Sequence, residues 1–368
     1  METRSRGGGR AEQGPRKRAR AGEPRDQPPP NGLYLVVEHQ TESKCEVIKL
    51  PSHTGVPFGA PGMSFVAFGD WIVGVGGKAT VTYDPSTSEV IQGPPVLSPK
   101  HQPVLISHGG MLYAITRRPR VVPWFEVLSF EDGIPSITPY ATDKECFAYW
   151  EELPPPPFFP CRLTPIEFRN PPDVSVGSYA AVDGRIFLSL QQEEKGTYVF
   201  HVAKKTWELV DASNLPFVGQ PTPLCDRMFA AFTKTKSNDN VDAITLFSLP
   251  INATKWLPIR ELLVGPTDHI STRQFLCPLP GGRSFCWINT THSASATSSQ
   301  LNTKLMKSPL ATFTIFQLKN IDGNDFSASS VTVEKLGEPG LIHTFAEGSS
   351  SKLTLIAALT MPASTCGL

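Results

Sequence analysis

The chain is a succession of short apolar runs, four to seven residues long, rich in Val, Ile, Phe, Tyr and Thr and usually closed by Gly, Pro, Asp or Asn. Runs of this length, bounded by turn formers, predict antiparallel strands rather than helices. Only Trp256 to Val264 carries a short helical periodicity. The strands recur in a fixed order. One unit runs Phe65–Phe68, a turn at Gly69-Asp70, Trp71–Gly77, Ala79–Pro85 and Glu89–Ile91. The clearest runs Ser178–Val182, a turn at Asp183-Gly184, Ile186–Leu190, Gly196–Val202 and Thr206–Val210. Three further units begin at Pro103, Met228 and Phe275.

The first hairpin turns of these five units fall near Gly69, Gly109, Gly184, Asp226 and Gly281, at gaps of 40, 75, 42 and 55 residues. Four-stranded propeller blades recur at roughly 40–50 residues. The long gap holds a Pro-rich stretch, Pro154 to Val176. Proline has no amide to donate within a sheet, so this stretch is expected as an extended connector over one face. Thr290 to Pro309, rich in Ser, Thr and Asn, is expected as a loop. Two runs remain at each end, within 33–50 and 341–359. Together they complete a sixth unit, which closes a ring and leaves no open sheet edge. The expected architecture is all-β: a six-bladed propeller over 33–360, with tails at 1–32 and 361–368.

Gly76-Gly77 followed by Tyr83-Asp84-Pro85, Trp150-Glu151-Glu152-Leu153-Pro154-Pro155, and Asp183-Gly184-Arg185-Ile186-Phe187 followed by Trp207-Glu208 resemble the kelch repeat. That pattern has a double glycine ending the second strand, an aromatic-Asp turn and a Trp opening the fourth strand. The stretch Gly196 to Gln220 is similar to a grass-expanded plant family of kelch-like proteins known as a domain of unknown function. The resemblance implies a propeller fold and a plant origin, and it carries over no site residue. In such a fold a Trp at the end of a blade is expected to pack between neighbouring blades, where its indole N–H can donate.

Charge divides the chain. Its 34 basic and 34 acidic residues sum to zero. Residues 1–30 hold eight basic and four acidic side chains, a net +4, so the rest sums to −4. The same thirty residues hold five Gly, five Pro and no Leu, Ile, Val, Phe, Tyr or Trp. They cannot bury enough apolar surface to offset ordering entropy, and they read as a disordered basic tail. Within it Arg16, Lys17, Arg18 and Arg20 follow Pro15 as a compact cationic run. Such a run suits nuclear import or a phosphate tether. No aromatics interleave it, so stacking on bases is not implied. Nucleic acid is therefore expected only through this tail. The N-terminus is polar, and no stretch approaches the roughly 20 apolar residues of a membrane helix. A nuclear or cytoplasmic protein, neither secreted nor membrane-bound, is expected.

The residues that could carry chemistry do not assemble by spacing. Seven Cys are scattered without a C-x-x-C pair, which fits a reducing compartment and buried apolar roles rather than zinc. Gly7-Gly8-Gly9 and Gly74-Val75-Gly76-Gly77 lack the strand-to-helix context of a phosphate loop. There is no G-x-S-x-G and no H-E-x-x-H, and the ligand cluster of the kelch-type copper radical oxidases has no match. The eight His stand apart, His101 and His108 being nearest. Glu151-Glu152 and Glu193-Glu194 are sequence neighbours, which in a strand face opposite ways. No catalytic, cofactor or metal residue is assigned. The expectation is a non-catalytic scaffold that binds a protein or peptide, as a nuclear regulatory or substrate-recognition factor. The alternative is a propeller enzyme, which would bring three or more polar side chains together around the central channel.

Overall fold

The computed structural model describes residues 32–39, 42–50, 54–130, 149–160, 162–191, 195–225, 227–234, 242–262, 271–292, 309–319, 331–336, 342–344 and 353–361. The tail, with Arg16, Lys17, Arg18 and Arg20, lies outside them, as do Asp226, Glu193, Glu194 and residues 293–308.

The strands assemble in chain order. β1 (Leu33–His39), β2 (Lys44–Leu50) and β3 (Thr54–Pro57) form the first group. β4 (Ser64–Phe68), β5 (Trp71–Gly76), β6 (Ala79–Asp84) and β7 (Glu89–Gly93) form a meander. β8 (Val104–His108), β9 (Met111–Ile115), β10 (Phe125–Ser129) and β11 (Glu151–Glu152) form another. An eight-stranded sheet is two meanders. One is β12 (Val176–Val182), β13 (Arg185–Leu190), β14 (Thr197–His201) and β15 (Thr206–Asp211). The other is β16 (Val218–Pro223), β17 (Met228–Lys234), β18 (Asp242–Ser248) and β19 (Leu257–Leu262). A single parallel bridge between Ser178 and Gly219 joins them. Next come β20 (Ser271–Pro278), β21 (Ser284–His292), β22 (Pro309–Lys319), β23 (Thr332–Leu336) and β24 (Ile342–Thr344). Last is β25 (Leu353–Thr360), which pairs with β1. Strands β4, β8, β12, β16, β20 and β25 neighbour one another in that cyclic succession. The all-β chain thus has the arrangement of a β-propeller.

The apolar runs are continuous because both faces of each inner hairpin are covered. Alternate residues of a strand point to opposite faces. In β13, Ile186 and Leu188 pack with Val104, Ile106, Tyr113 and Ile115 of the preceding group. The intervening Phe187 packs with Phe229, Ala231 and Phe247 of the following one. In β9, Leu112 and Ala114 face Val73 and Val75, whereas Tyr113 and Ile115 face the other way. The space between each group and the next is filled by one such cluster, and the last, between Leu35, Val37 and Ile48 and Cys277, Cys286 and Ile288, completes the circuit.

The double glycine does two separate jobs. A Cβ on Gly76 would lie 2.6 Å from Met63 Cα, so only glycine lets the two backbones meet. Gly77 has open space but a φ of 56°, which side chains disfavour. The expected Trp role, packing between groups with a donating indole, is observed at Trp150 and Trp207, whereas Trp256 packs in such a gap with its buried indole N–H unpartnered among the described residues. Trp150 is buried, and its indole N–H donates to Thr80 Oγ1 and Pro94 O, both at 3.1 Å, in the neighbouring group. Trp207 Nε1–H donates to Pro154 O at 2.8 Å. Trp256 is gripped edge-on by Phe187, Phe217 and Phe229.

Three sequence expectations need correction. The closing sheet is ordered β25-β1-β2-β3, three N-terminal strands and one C-terminal, rather than two from each of 33–50 and 341–359. β24 pairs instead with Leu310–Thr312 of β22, whose eleven residues outrun the five paired to β23 and leave that edge available. Within Trp256–Val264, where the sequence carries a helical periodicity, Leu257–Leu262 form β19, an outer strand with a register shift opposite Pro258, and 263–264 lie outside the described residues. The missing amide is tolerated there because the strand lies at a sheet edge. The Pro-rich connector also holds one helical turn, α1 (Pro165–Arg169), closed by a capping box between Thr164 and Glu167. Among the described residues no helix is long and apolar enough to cross a membrane.

Burial of thiols makes stability pH-dependent. Cys45 and Cys286 are pushed up to about 12 by burial, and Cys277 well above the ordinary value of 9.0 by burial and then by Cys286. Their neutral forms are favoured in the fold. The unfolded chain therefore releases protons first as pH rises past about 9, and stability falls from there towards 12. Guanidinium midpoints measured at pH 7.5 and 10.5 should show a clear drop that is smaller in Cys45→Ala. A midpoint that does not move with pH would refute this.

Candidate functional site

The parallel bridge between Ser178 and Gly219 shows β12 and β16 running the same way. Residues at or near the starting ends of the inner strands line one cavity of about 270 Å³ at the mouth of the central channel. Ser64 opens β4 there, Tyr179 comes from β12, Gln220 from β16, Arg273 from β20 and Ile356 from β25.

Two loops complete the wall. Gln102 precedes β8 with a φ of 45°, and its N–H donates to Gly62 O at 2.7 Å. Such a φ is uncommon for a residue with a Cβ and tends to mark a site where geometry is imposed. Arg117 follows β9. Its Nε–H donates to Gln102 O at 3.1 Å and its Nη1–H to Val176 O at 3.3 Å. Arg273 Nη1–H donates to Leu355 O at 3.3 Å. Both guanidiniums are thus held by main-chain carbonyls rather than by carboxylates. Burial pushes the Tyr179 phenol up, against an opposing pull from the nearby Arg117, so it keeps its proton. None of the lining residues is Asp or Glu. A cationic mouth therefore sits on a body whose sequence sums to −4.

A buried ion pair fixes the two loops. The Lys100 and Glu126 side chains are 0% exposed. Lys100 Nζ donates to Glu126 Oε1, to Ser98 Oγ at 3.0 Å and to Pro123 O at 3.0 Å, which uses all three of its protons. Glu126 also accepts from the N–H of Leu97 at 2.8 Å and of Ser98 at 3.3 Å. Burial pulls Lys100 down, and Glu126 opposes this. The network ties 97–100 to 123–126, just before Gln102 and just after the loop that holds Arg117. A second cavity of about 400 Å³ shares Arg117 and extends along Gly177, Ser178, Pro216 and Gly219.

The paired sequence candidates do not come together. His101 is exposed near the mouth, whereas His108 lies at the far end of β8, where its Nε2 accepts from Gly184 N–H at 2.9 Å. Glu151 pairs with Lys205 on the surface at 2.5 Å. Among the described residues no group of His, Cys, Asp and Glu could hold a metal. The mouth residues were not assigned from sequence. The legible signal was Arg117-Arg118-Pro119-Arg120, a basic run directly after an apolar strand. Ser64, Gln220 and Arg273 look like ordinary polar residues at strand starts. The arrangement offers cations and neutral donors to a bound group. Its lining holds no carboxylate, imidazole or thiol to act as base or nucleophile.

The described chain is thus an all-β ring with a donor-lined mouth. The chain belongs to the family described as protein of unknown function (DUF1668), whose profile matches residues 33–333. No curated protein matches it. Among solved structures it is similar to YjhT, at 11% identity over 63% of this chain and 82% of that one, with a TM-score of 0.41. It is also similar to a Bacteroides uniformis protein described as a candidate 6-phosphogluconolactonase, at 13% identity over 85% and 84% of the two chains, with a TM-score of 0.43.

Proposed function

We propose that the protein is a non-catalytic interaction module built on a six-bladed, kelch-like propeller, and that the channel-mouth face recognises a protein or peptide. The six inner strands in cyclic contact and the apolar cluster in each gap support the blade count. The observation that carries the function is the composition of the mouth: Ser64, Gln102, Arg117, Tyr179, Gln220 and Arg273 converge with donors, and no acid/base pair accompanies them. Binding needs such donors, whereas general acid–base or covalent catalysis needs a titratable partner positioned beside the reacting group. Exposed Leu97, Val121 and Val122 on the same loops, with Val218 at the start of β16, add apolar contact area beside the cations. Loops carried on a rigid scaffold are the usual place for recognition.

The convergence of polar side chains on the channel also meets the requirement for a propeller enzyme, which keeps that second reading alive. Affinity capture with the full chain from the tissue that expresses it, read by mass spectrometry, separates the two. A partner recovered reproducibly at near-stoichiometric yield supports the module. Recovery of nothing above background would overturn it.

A further inference from the structure

The geometry points to a carboxylate side chain of a peptide segment as the group that seats at the channel mouth, between the guanidiniums of Arg117 and Arg273. This rests on the recognition reading above and specifies its ligand.

Arg117 follows β9 and Arg273 lies in β20, yet both line one cavity of about 270 Å³. Among the described residues neither has an acidic partner. Two cations facing one small space repel each other unless an anion lies between them. Arginine presents a planar fork that matches a carboxylate. Arg273 is exposed and makes one longer bond, to Leu355 O at 3.3 Å, whereas the Arg117 fork is already oriented by two main-chain carbonyls, Gln102 O and Val176 O. A fork held in this way loses less freedom when it binds. The surrounding groups can add neutral donors: the Gln102 and Gln220 amides, the Ser64 hydroxyl and the protonated Tyr179 phenol.

The size of the site favours a peptide over a free anion. The cavity of about 400 Å³ shares Arg117 with the first, so Arg117 borders both, and the proposed peptide would run past it along this track from one to the other. A lone carboxylate or phosphate occupies only its first few ångströms. Val218, 41% exposed, flanks the track, and Val121 and Val122, 40% and 51% exposed, lie on the loop after Arg117. Such a surface fits an acidic residue with apolar neighbours along an extended chain.

The test is selection of random dodecapeptides displayed on phage against the full-length protein, followed by fluorescence anisotropy of the selected peptides. The expected result is enrichment of Asp or Glu at one position among apolar residues. Affinity should fall at least about tenfold in Arg273→Gln, as loss of a charge-assisted bond implies. It should be unchanged in Arg118→Gln, whose exposed side chain does not line the cavity. Inorganic phosphate should compete weakly. Because Arg117 also braces two loops, Arg117→Lys is the second variant, expected to keep the fold and weaken binding less than Arg273→Gln. Peptides enriched without acidic residues, or binding unaffected by Arg273→Gln, would overturn this inference and leave the recognition reading intact. No selected peptide, but thermal stabilisation by phosphate that vanishes in Arg273→Gln, would make this a site for small free anions and overturn the peptide assignment. Neither peptide nor phosphate binding would overturn the site altogether, and capture of a native partner would then judge the recognition reading by itself.

Discussion

Lys100→Met should lower the unfolding free energy by about 3–5 kcal/mol, because it leaves the Glu126 carboxylate buried without its counter-charge. The remaining donors to Glu126, the N–H groups of Leu97 and Ser98, solvate it only in part. The effect is a statement about the unpaired charge, not about the net worth of the pair. Taking two ions out of water is costly, and an apolar pair of similar volume is often as stable. The double variant Lys100→Met with Glu126→Leu should therefore recover most of the loss. Equilibrium denaturation of the three proteins checks both statements. Equal losses in the single and double variants would show that the pair itself, rather than the orphaned charge, matters. Because the network braces the loops bearing Gln102 and Arg117, the single variant should also weaken partner binding under conditions where it remains folded.

Trp150→Ala should cost about 3–5 kcal/mol, the usual range for emptying a large buried aromatic site. Its side chain packs with Val73, Val75, Leu105 and Leu128 in the gap between two strand groups. Its indole joins those groups through Thr80 and Pro94. Trp150→Phe retains most of the packing and loses the N–H, so about 1–3 kcal/mol is expected, since Thr80 and Pro94 lose a buried donor. Thermal unfolding of both variants orders them. Equal, small effects would mean that the indole is not the tie between groups.

Both predictions concern features with different visibility in the sequence. The strand order was legible because β9 and β13 are buried on both faces, which turns an alternating pattern into unbroken apolar runs. The hairpin turns at Gly69, Gly109 and Gly184 were legible because the left-handed backbone there, with φ of 54°, 58° and 68°, selects glycine. The Trp positions could be read because a large ring with one donor suits the gap between groups. The outer strand β19 was not, because its mostly exposed residues carry no alternation and Pro258 interrupts its pairing. The destination of 342–344 was not legible either, since it depends on how far β22 extends beyond β23. The channel mouth escaped for a more general reason. Ser64, Arg117 and Arg273 meet only when the ring closes, and no spacing along the chain encodes that closure. The pairing of Lys100 with Glu126 is hidden in the same way, because it joins the loop before β8 to β10, 26 residues further along the chain.

The central claim is that recognition occurs at the channel-mouth face, and hydrogen exchange of the full chain with and without a captured partner tests it most directly. The account predicts slowed exchange in 96–103, 116–122 and 214–220, with no change in the opposite turns at 69–70, 109–110 and 183–184. Protection confined to those opposite turns, with the mouth segments exchanging as in the free protein, would contradict it.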